Sequence, residues 1–249
     1  MNVAVTNPVC LITGATRGIG HACASVFAER GFTVVLTGRD AEVASRRAEE
    51  IQQASGAADV RGCELDVAAE ESVAALFRVV RHDLGRLDVL VANAGVLRSS
   101  PLGGTPAATA RKTVEVNVLG TLACVQSAAR LMMPRRRGSM VLLASAVGER
   151  GAPGQAVYAA SKAAVAALAR SAALELGPRG IRVNAVAPGL IDTDMAKALP
   201  EETVAAYEAR CALRRVGTAR EVAEVVAFLA SDAASYVSGQ VLRVDGAEL

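Results

Sequence analysis

Residues 9–20 read Val9-Cys10-Leu11-Ile12-Thr13-Gly14-Ala15-Thr16-Arg17-Gly18-Ile19-Gly20. A short apolar run of strand type meets a glycine-spaced turn, and a helical pattern over 18–30 follows, closed by Gly31. Glycines at 14, 18 and 20 let the backbone turn sharply and come close to a ligand. The start of the helix then aims unpaired N–H groups at a negative charge. The spacing is G-x-x-x-G-x-G rather than G-x-G-x-x-G. A glycine cluster alone is weak, but strand, turn and helix in this order predict a pyrophosphate cradle made of Gly14, Thr16, Arg17, Gly18, Ile19 and Gly20.

The same alternation continues outward. Strands are predicted at 33–36, 60–65, 87–91, 140–143, 182–186 and 241–244. Helices are predicted at 41–54, 70–84, from a loop at 97–106 to about 133, and at 158–176, 201–211 and 219–231. The strand runs are short, continuous and β-branched, as strands covered on both faces are. Helices between them imply right-handed βαβ crossovers. The expected fold is α/β: a single-domain, Rossmann-type, doubly wound parallel sheet of about seven strands with helices on both faces. No linker, repeat or low-complexity segment breaks it, so one domain is expected over residues 1–249.

Composition narrows the function. Hydrophobic residues make up 52% and charged residues 21%, enough apolar mass for a full core. Aromatics are 3% with no Trp, which argues against a base-stacking platform. The net charge of +2 argues against nucleic acid or an anionic membrane as partner. Five cysteines without metal spacing read as reduced thiols. His21 and His82 are isolated, and no metal site is expected. No run of about 20 apolar residues and no signal peptide is read, so a cytoplasmic location is expected.

The end of the second strand speaks to the nucleotide. An acidic residue there would bind the ribose 2′-hydroxyl of NAD. This chain has Thr37-Gly38-Arg39 instead. Gly38 removes the acid and Arg39 offers a planar cation suited to a 2′-phosphate, which Thr16 and Arg17 of the glycine turn can join. NADP(H) is the expected cofactor.

Ser145 lies just past the fifth strand, and Tyr158 and Lys162 follow four residues apart on one helix face. Three tyrosines and three lysines in 249 residues make a chance Tyr-x-x-x-Lys rare. A phenol of ordinary pKa near 10 is a poor base at neutral pH, and a neighbouring ammonium would favour the phenolate. Ser145 would then hold a substrate oxygen while Tyr158 gives or takes its proton.

These stretches together resemble the short-chain dehydrogenase/reductase family over essentially the whole chain. The resemblance implies hydride transfer between a nicotinamide and a ketone or secondary alcohol. It implies that Asp66 and Val67 contact the adenine, and that Asn93, Ala94 and Gly95 line the cofactor and steady the sheet. Asn117 would hold a water in a proton relay to Lys162. Lys162 would also bind the ribose. Pro188, Gly189, Ile191 and Thr193 would grip the carboxamide. Two departures stand out: Ala92 replaces a common Asn before Asn93, and Ala247 replaces a common Gly. Neither touches the expected chemistry.

Within the family, the stretches around 135–148, 154–165 and 179–195 look most like those of 3-oxoacyl-[acyl-carrier-protein] reductases. The pocket is expected from residues 96–104, 146–155 and 190–205, whose Val96, Leu97, Ala146, Val147, Leu190, Met195 and Leu199 fit a mostly apolar ketone. The resemblance places Arg136 and Arg179 near the pocket mouth, where an acidic carrier protein would dock; the plain alternative is a solvated helix end. Another small ketone, an alcohol, or a catalytically silent NADP-binding regulator remain the alternatives. Family members commonly pair through the helices that match the Ala-rich ones at 113–133 and 158–176, and through the segment that matches 239–249, so the resemblance implies a homotetramer.

Overall fold

A computed structural model describes residues 7–56, 59–197 and 199–248, the side chains of Met195 and Lys197 excepted. The elements run β1 (Val9–Ile12), α1 (Gly18–Glu29), β2 (Thr33–Gly38), α2 (Ala41–Ser55), β3 (Val60–Glu64), α3 (Glu70–Val79) and β4 (Val89–Ala92). They continue with α4 (Ala107–Val114), α5 (Thr121–Met132), β5 (Gly138–Leu143), α6 (Val147–Arg150) and α7 (Ala156–Leu176). The last are β6 (Ile181–Pro188), β7 (Ile191–Asp192), α8 (Asp194–Lys197), α9 (Glu201–Arg210), β8 (Gly217–Thr218), α10 (Ala219–Ala230) and β9 (Val241–Val244). Seven strands form one parallel sheet in the order β3-β2-β1-β4-β5-β6-β9. The α/β single-domain fold is as expected.

Successive strand residues point to opposite faces, so each central strand feeds two cores. Leu11, Val35, Leu90, Leu142 and Ala185 face α3, α5 and α7. Cys10, Ile12, Val34, Val91, Val141 and Val186 face α1, α2 and α10. Each fully buried Val, Leu or Ile among them contributes about 1.5–3 kcal/mol from apolar transfer, which is why these runs show no polar alternation.

Helix ends follow local chemistry. Asp40 caps α2 by accepting the Val43 N–H at 3.0 Å, and Gly56 ends it in the left-handed region at φ 77°. Thr218 and Glu221 form a reciprocal capping box at the start of α10. Three features differ from the linear reading. A second, two-stranded sheet pairs β7 with β8; two residues per strand are too few to leave a periodic signal. A π turn, Glu115–Gly120, sits between α4 and α5. The helical run Ala107–Arg135 is also long and apolar enough to cross a bilayer by length and composition, where no such run was expected. However, 56% of its apolar stretch is buried inside the protein, as in a core helix.

Candidate active site

All seven strands are parallel, so the segments after β1, β2, β4, β5 and β6 emerge at one edge of the sheet. The glycine turn is held there by a net of short bonds. The Asn93 amide donates to the carbonyls of Thr13 at 3.0 Å and Gly14 at 2.8 Å. The Thr13 hydroxyl accepts the N–H groups of Asn93 and Ala94, both at 3.0 Å. Asn93 therefore bolts the turn after β1 to the end of β4, its neighbour in the sheet, and Ala94 packs under it.

That packing demands glycine. A Cβ on Gly14, which sits at φ +64°, would come within 2.9 Å of the Ala94 backbone, and one on Gly20 within 2.5 Å of the Asn93 amide. Gly18, at φ +58°, is open except for the Thr193 methyl, 3.4 Å from where its Cβ would lie. Thr193 belongs to the segment after β6, and its hydroxyl donates to the Ile191 carbonyl at 3.2 Å. Asp194 beside it reaches Arg17 at 3.7 Å between exposed side chains. The two walls of a cleft, glycine turn and post-β6 segment, thus meet face to face. Its floor is a bare backbone turn with free helix N–H groups, which fits a dinucleotide pyrophosphate.

The other predicted cofactor contacts fall around this edge. A Cβ on Gly38 would meet the Thr16 methyl at 2.5 Å, and Arg39 is exposed just beyond. Thr16, Gly38 and Arg39 therefore form one corner with no carboxylate at the strand end. Asp66 is partly turned to its own loop, where its carboxylate accepts the Ala68 N–H at 3.0 Å. Val67 is buried, and its carbonyl lies 2.7 Å from where a Cβ on Gly120 would be. Pro188 accepts the Ala146 N–H at 3.0 Å, and Gly189 donates to the Val244 carbonyl at 3.0 Å. Ile191 is buried in β7. Of the pocket residues, the Met195 side chain lies outside those described.

Ser145, Tyr158 and Lys162 converge at this edge. Ser145 is buried at the end of β5, and its hydroxyl accepts the Val147 N–H at 3.3 Å. Lys162 is enclosed, with Nζ 5.8 Å from the Tyr158 ring centroid and donating to the Leu143 carbonyl at 2.6 Å. Gly95 lies alongside: a Cβ there would stand 3.3 Å from Nζ and 3.4 Å from the Asn117 amide oxygen. Burial lowers the Lys162 ammonium from the ordinary 10.5 to about 8.

The phenol behaves otherwise than the sequence implied. Burial pushes the Tyr158 hydroxyl above its ordinary value, and the hydrogen bond from Ser145 pulls only part of the way back. The expectation that Lys162 holds this phenol low is therefore corrected: desolvation of the phenolate wins over its polar neighbours.

Asn117 sits in the π turn with no exposed surface. Its amide oxygen accepts the Val96 N–H at 2.8 Å; its nitrogen donates to the Val96 carbonyl and the Ser161 hydroxyl, both at 3.0 Å. Both amide hydrogens are thus taken by protein partners, and the Asn117 carbonyl accepts the Thr121 hydroxyl at 2.8 Å. Ser161 was missed by the linear reading. A Ser bonding the carbonyl three residues back, here Tyr158 at 2.7 Å, is a local habit of the residue, but its partner Asn117 is 44 residues away.

Arg136 and Arg179 do not stand at the cleft. They precede β5 and β6, whereas Ser145 follows β5. Six residues of strand separate the two edges, about 20 Å at 3.3 Å per residue. Arg136 is used at that far edge, donating to the Pro178 carbonyl at 2.8 Å. Parallel strand direction, invisible in a local motif, puts these arginines at the opposite rim of the chain.

A family described as enoyl-(acyl carrier protein) reductase matches residues 14–246. The chain is 39% identical over 246 residues to the 3-oxoacyl-[acyl-carrier-protein] reductase FabG of Aquifex aeolicus, with 99% of each chain covered. It is 42% identical to cis-4-hydroxycyclohexanecarboxylate dehydrogenase of Sinomonas cyclohexanicum, covering 99% of this chain and 98% of that one. It is 38% identical to 3alpha-hydroxysteroid dehydrogenase of Mediterraneibacter gnavus, covering 99% of each. The crystal structure of gox2181 superposes with a TM-score of 0.92 at 35% identity, over 98% of this chain and 96% of that one.

Proposed function

Since the chain belongs to the short-chain dehydrogenase/reductase family of oxidoreductases, we propose that it is an NADP(H)-dependent ketone reductase whose substrate is a 3-oxoacyl thioester carried on acyl-carrier protein. The observation that carries the reading is Lys162 enclosed beneath the Tyr158 ring with Ser145 against the same phenol, beside a glycine turn shaped for a dinucleotide.

The glycine turn would hold the pyrophosphate, Thr16 and Arg39 the 2′-phosphate, Asp66 and Val67 the adenine side, Asn93 to Gly95 the middle. Pro188 to Thr193 would hold the carboxamide end. When bound, the nicotinamide supplies the hydride. Ser145 orients the ketone oxygen. Tyr158, whose phenol burial holds above its ordinary value, is set up as a general acid toward that oxygen. Ser145 then stabilises the phenolate left behind, and Lys162 supplies positive charge below the ring. Asn117 steadies Val96 and the start of α7, and would hold the relay water.

A second reading is reduction or oxidation of a cyclic substrate. It is favoured by relatives named for a cyclohexane carboxylate and a steroid at similar identity. A silent NADP-binding regulator is the third. We place the enzyme in the cytoplasm as a homotetramer. The exposed Val114, Leu119 and Leu174 on the α4–α5 run and α7 are apolar surface for subunits to cover.

The deciding measurement is loss of the reduced-nicotinamide absorbance with NADPH or NADH and a panel of 3-oxoacyl thioesters, free 3-ketoesters and cyclic ketones. Preference for thioester with NADPH supports the first reading. Cyclic ketones alone would support the second, and tight binding without turnover of any ketone the third.

A further inference from the structure

The segment that follows β9 carries a carboxylate, Glu248, that the chemistry above does not use. The Glu248 side chain is wholly enclosed, at 0% exposure. One oxygen accepts two guanidinium groups, Arg150 at 2.6 Å and Arg210 at 3.3 Å. The other oxygen is buried without a partner. Burying a carboxylate is costly unless charge and hydrogen bonds offset the lost water, so its place between two arginines is a specific arrangement.

The arginines come from the two walls of the substrate cleft. Arg150 ends α6, the single turn that begins two residues after Ser145. Arg210 ends α9, the helix that follows the Thr193 segment. α6 rests on α7, where a Cβ on Gly148 would stand 2.9 Å from the Lys162–Ala163 backbone, and α9 is the less anchored of the two walls. α6 has four residues, and α9 buries one side chain, Tyr207. The Tyr207 hydroxyl donates to the Asp245 carbonyl at 3.0 Å. Backbone bonds Ala212 to Ala247 and Leu213 to Gly246, each 3.2 Å, lay the segment after α9 against the segment after β9. Arg243, on β9, fixes that segment in turn by donating to the Glu248 carbonyl at 2.9 Å.

We propose that Glu248 is a positioning residue for the ketone: its carboxylate sets the separation of α6 and α9, and so the width of the space between Ser145 and the helix opposite. The proposal rests on the ketone-reductase reading for its kinetic consequence. It does not rest on it for the tie itself. Uniform binding contributed by cleft width is lost as KM, whereas Tyr158 and Lys162, the groups assigned to proton transfer, sit on α7 and on neither of the two tied helices.

The test is Glu248→Gln in the full-length enzyme, which keeps shape and loses charge. The expected result is a KM for the ketone raised about tenfold, with kcat and the KM for NADPH within about twofold of wild type. Arg150→Met should raise KM likewise, and should add little on top of Glu248→Gln, because both act through one contact. Amide hydrogen exchange should quicken in residues 147–150 and 201–210 together. A fall in kcat at unchanged KM, full additivity of the two substitutions, or exchange that quickens only in the segment after β9 would overturn the proposal. Wild-type enzyme inactive on every ketone would instead count against the functional reading, and the exchange comparison would still decide the tie.

Discussion

Asn117 and Ser161, on separate helices and 44 residues apart, share a hydrogen bond of 3.0 Å between amide nitrogen and hydroxyl. The Ser161 hydroxyl passes the connection on to the Tyr158 carbonyl at 2.7 Å. Since Asn117 also brackets both backbone groups of Val96, one buried amide joins the loop after β4 to the first turn of the helix bearing the phenol. The Tyr158 phenol is therefore located by three elements at once.

That network has a stability consequence. Asn117→Ala removes the amide and leaves Val96 N–H, Val96 C=O and Ser161 with unmet bonds in the interior. A loss of about 3 kcal/mol is expected in urea unfolding. Ser161→Ala leaves Asn117 its Val96 bonds and should cost about 1 kcal/mol. Equal, negligible losses for both would show that the amide is not holding these elements.

Tyr158→Phe keeps the ring over Lys162 and deletes only the proton. Turnover should fall about 1,000-fold, within the range for a positioned general acid, while NADPH binding measured by fluorescence titration changes little. Turnover within tenfold of wild type would remove the phenol from its assigned role.

Lys162 has a pH signature. Burial lowers its ammonium from 10.5 to about 8, so between those values the unfolded chain binds more protons than the folded one. Stability then rises with pH across that window; the burden of the buried cation is full below about pH 8 and gone by the ordinary lysine value. Lys162→Met should flatten this rise in denaturant midpoints taken from pH 8 to 10. An unchanged slope would mean that another group titrates there.

Nucleotide choice is expected to lie in the Thr16–Gly38–Arg39 corner. Arg39→Ala should weaken NADPH about 10- to 100-fold, the worth of a charge-assisted hydrogen bond, and leave NADH unaffected. Gly38→Asp alone should harm both nucleotides, because its Cβ would stand 2.5 Å from the Thr16 methyl. Pairing it with Thr16→Ala should then restore NADH binding first. Parallel losses of NADPH and NADH in Arg39→Ala would place 2′-phosphate recognition elsewhere.

Most of the fold was legible in the residues, because its signals are local. β-branched runs, helical periods and closing glycines at 31, 56 and 85 mark boundaries within one or two residues of those observed. The Tyr158–Lys162 spacing is legible for the same reason: two side chains one helical turn apart share a face whatever surrounds them. Ser161 as the Asn117 partner was not legible, nor was the grip of the Leu143 carbonyl on Lys162, since each depends on the approach of elements distant in the chain.

The amino-acid order by itself determined the parallel α/β sheet, the glycine cradle and the one-face pairing of phenol and ammonium, because backbone sterics and helix periodicity act over a few residues. Tertiary structure alone decided three things. It set the sign of the Tyr158 shift, because desolvation depends on every atom packed around the hydroxyl. It put Arg136 and Arg179 on the rim away from Ser145, because strand direction carries one end of β5 far from the other. It also brought Glu248 between Arg150 and Arg210, because a charge finds its partners in a fold through space and not along the chain.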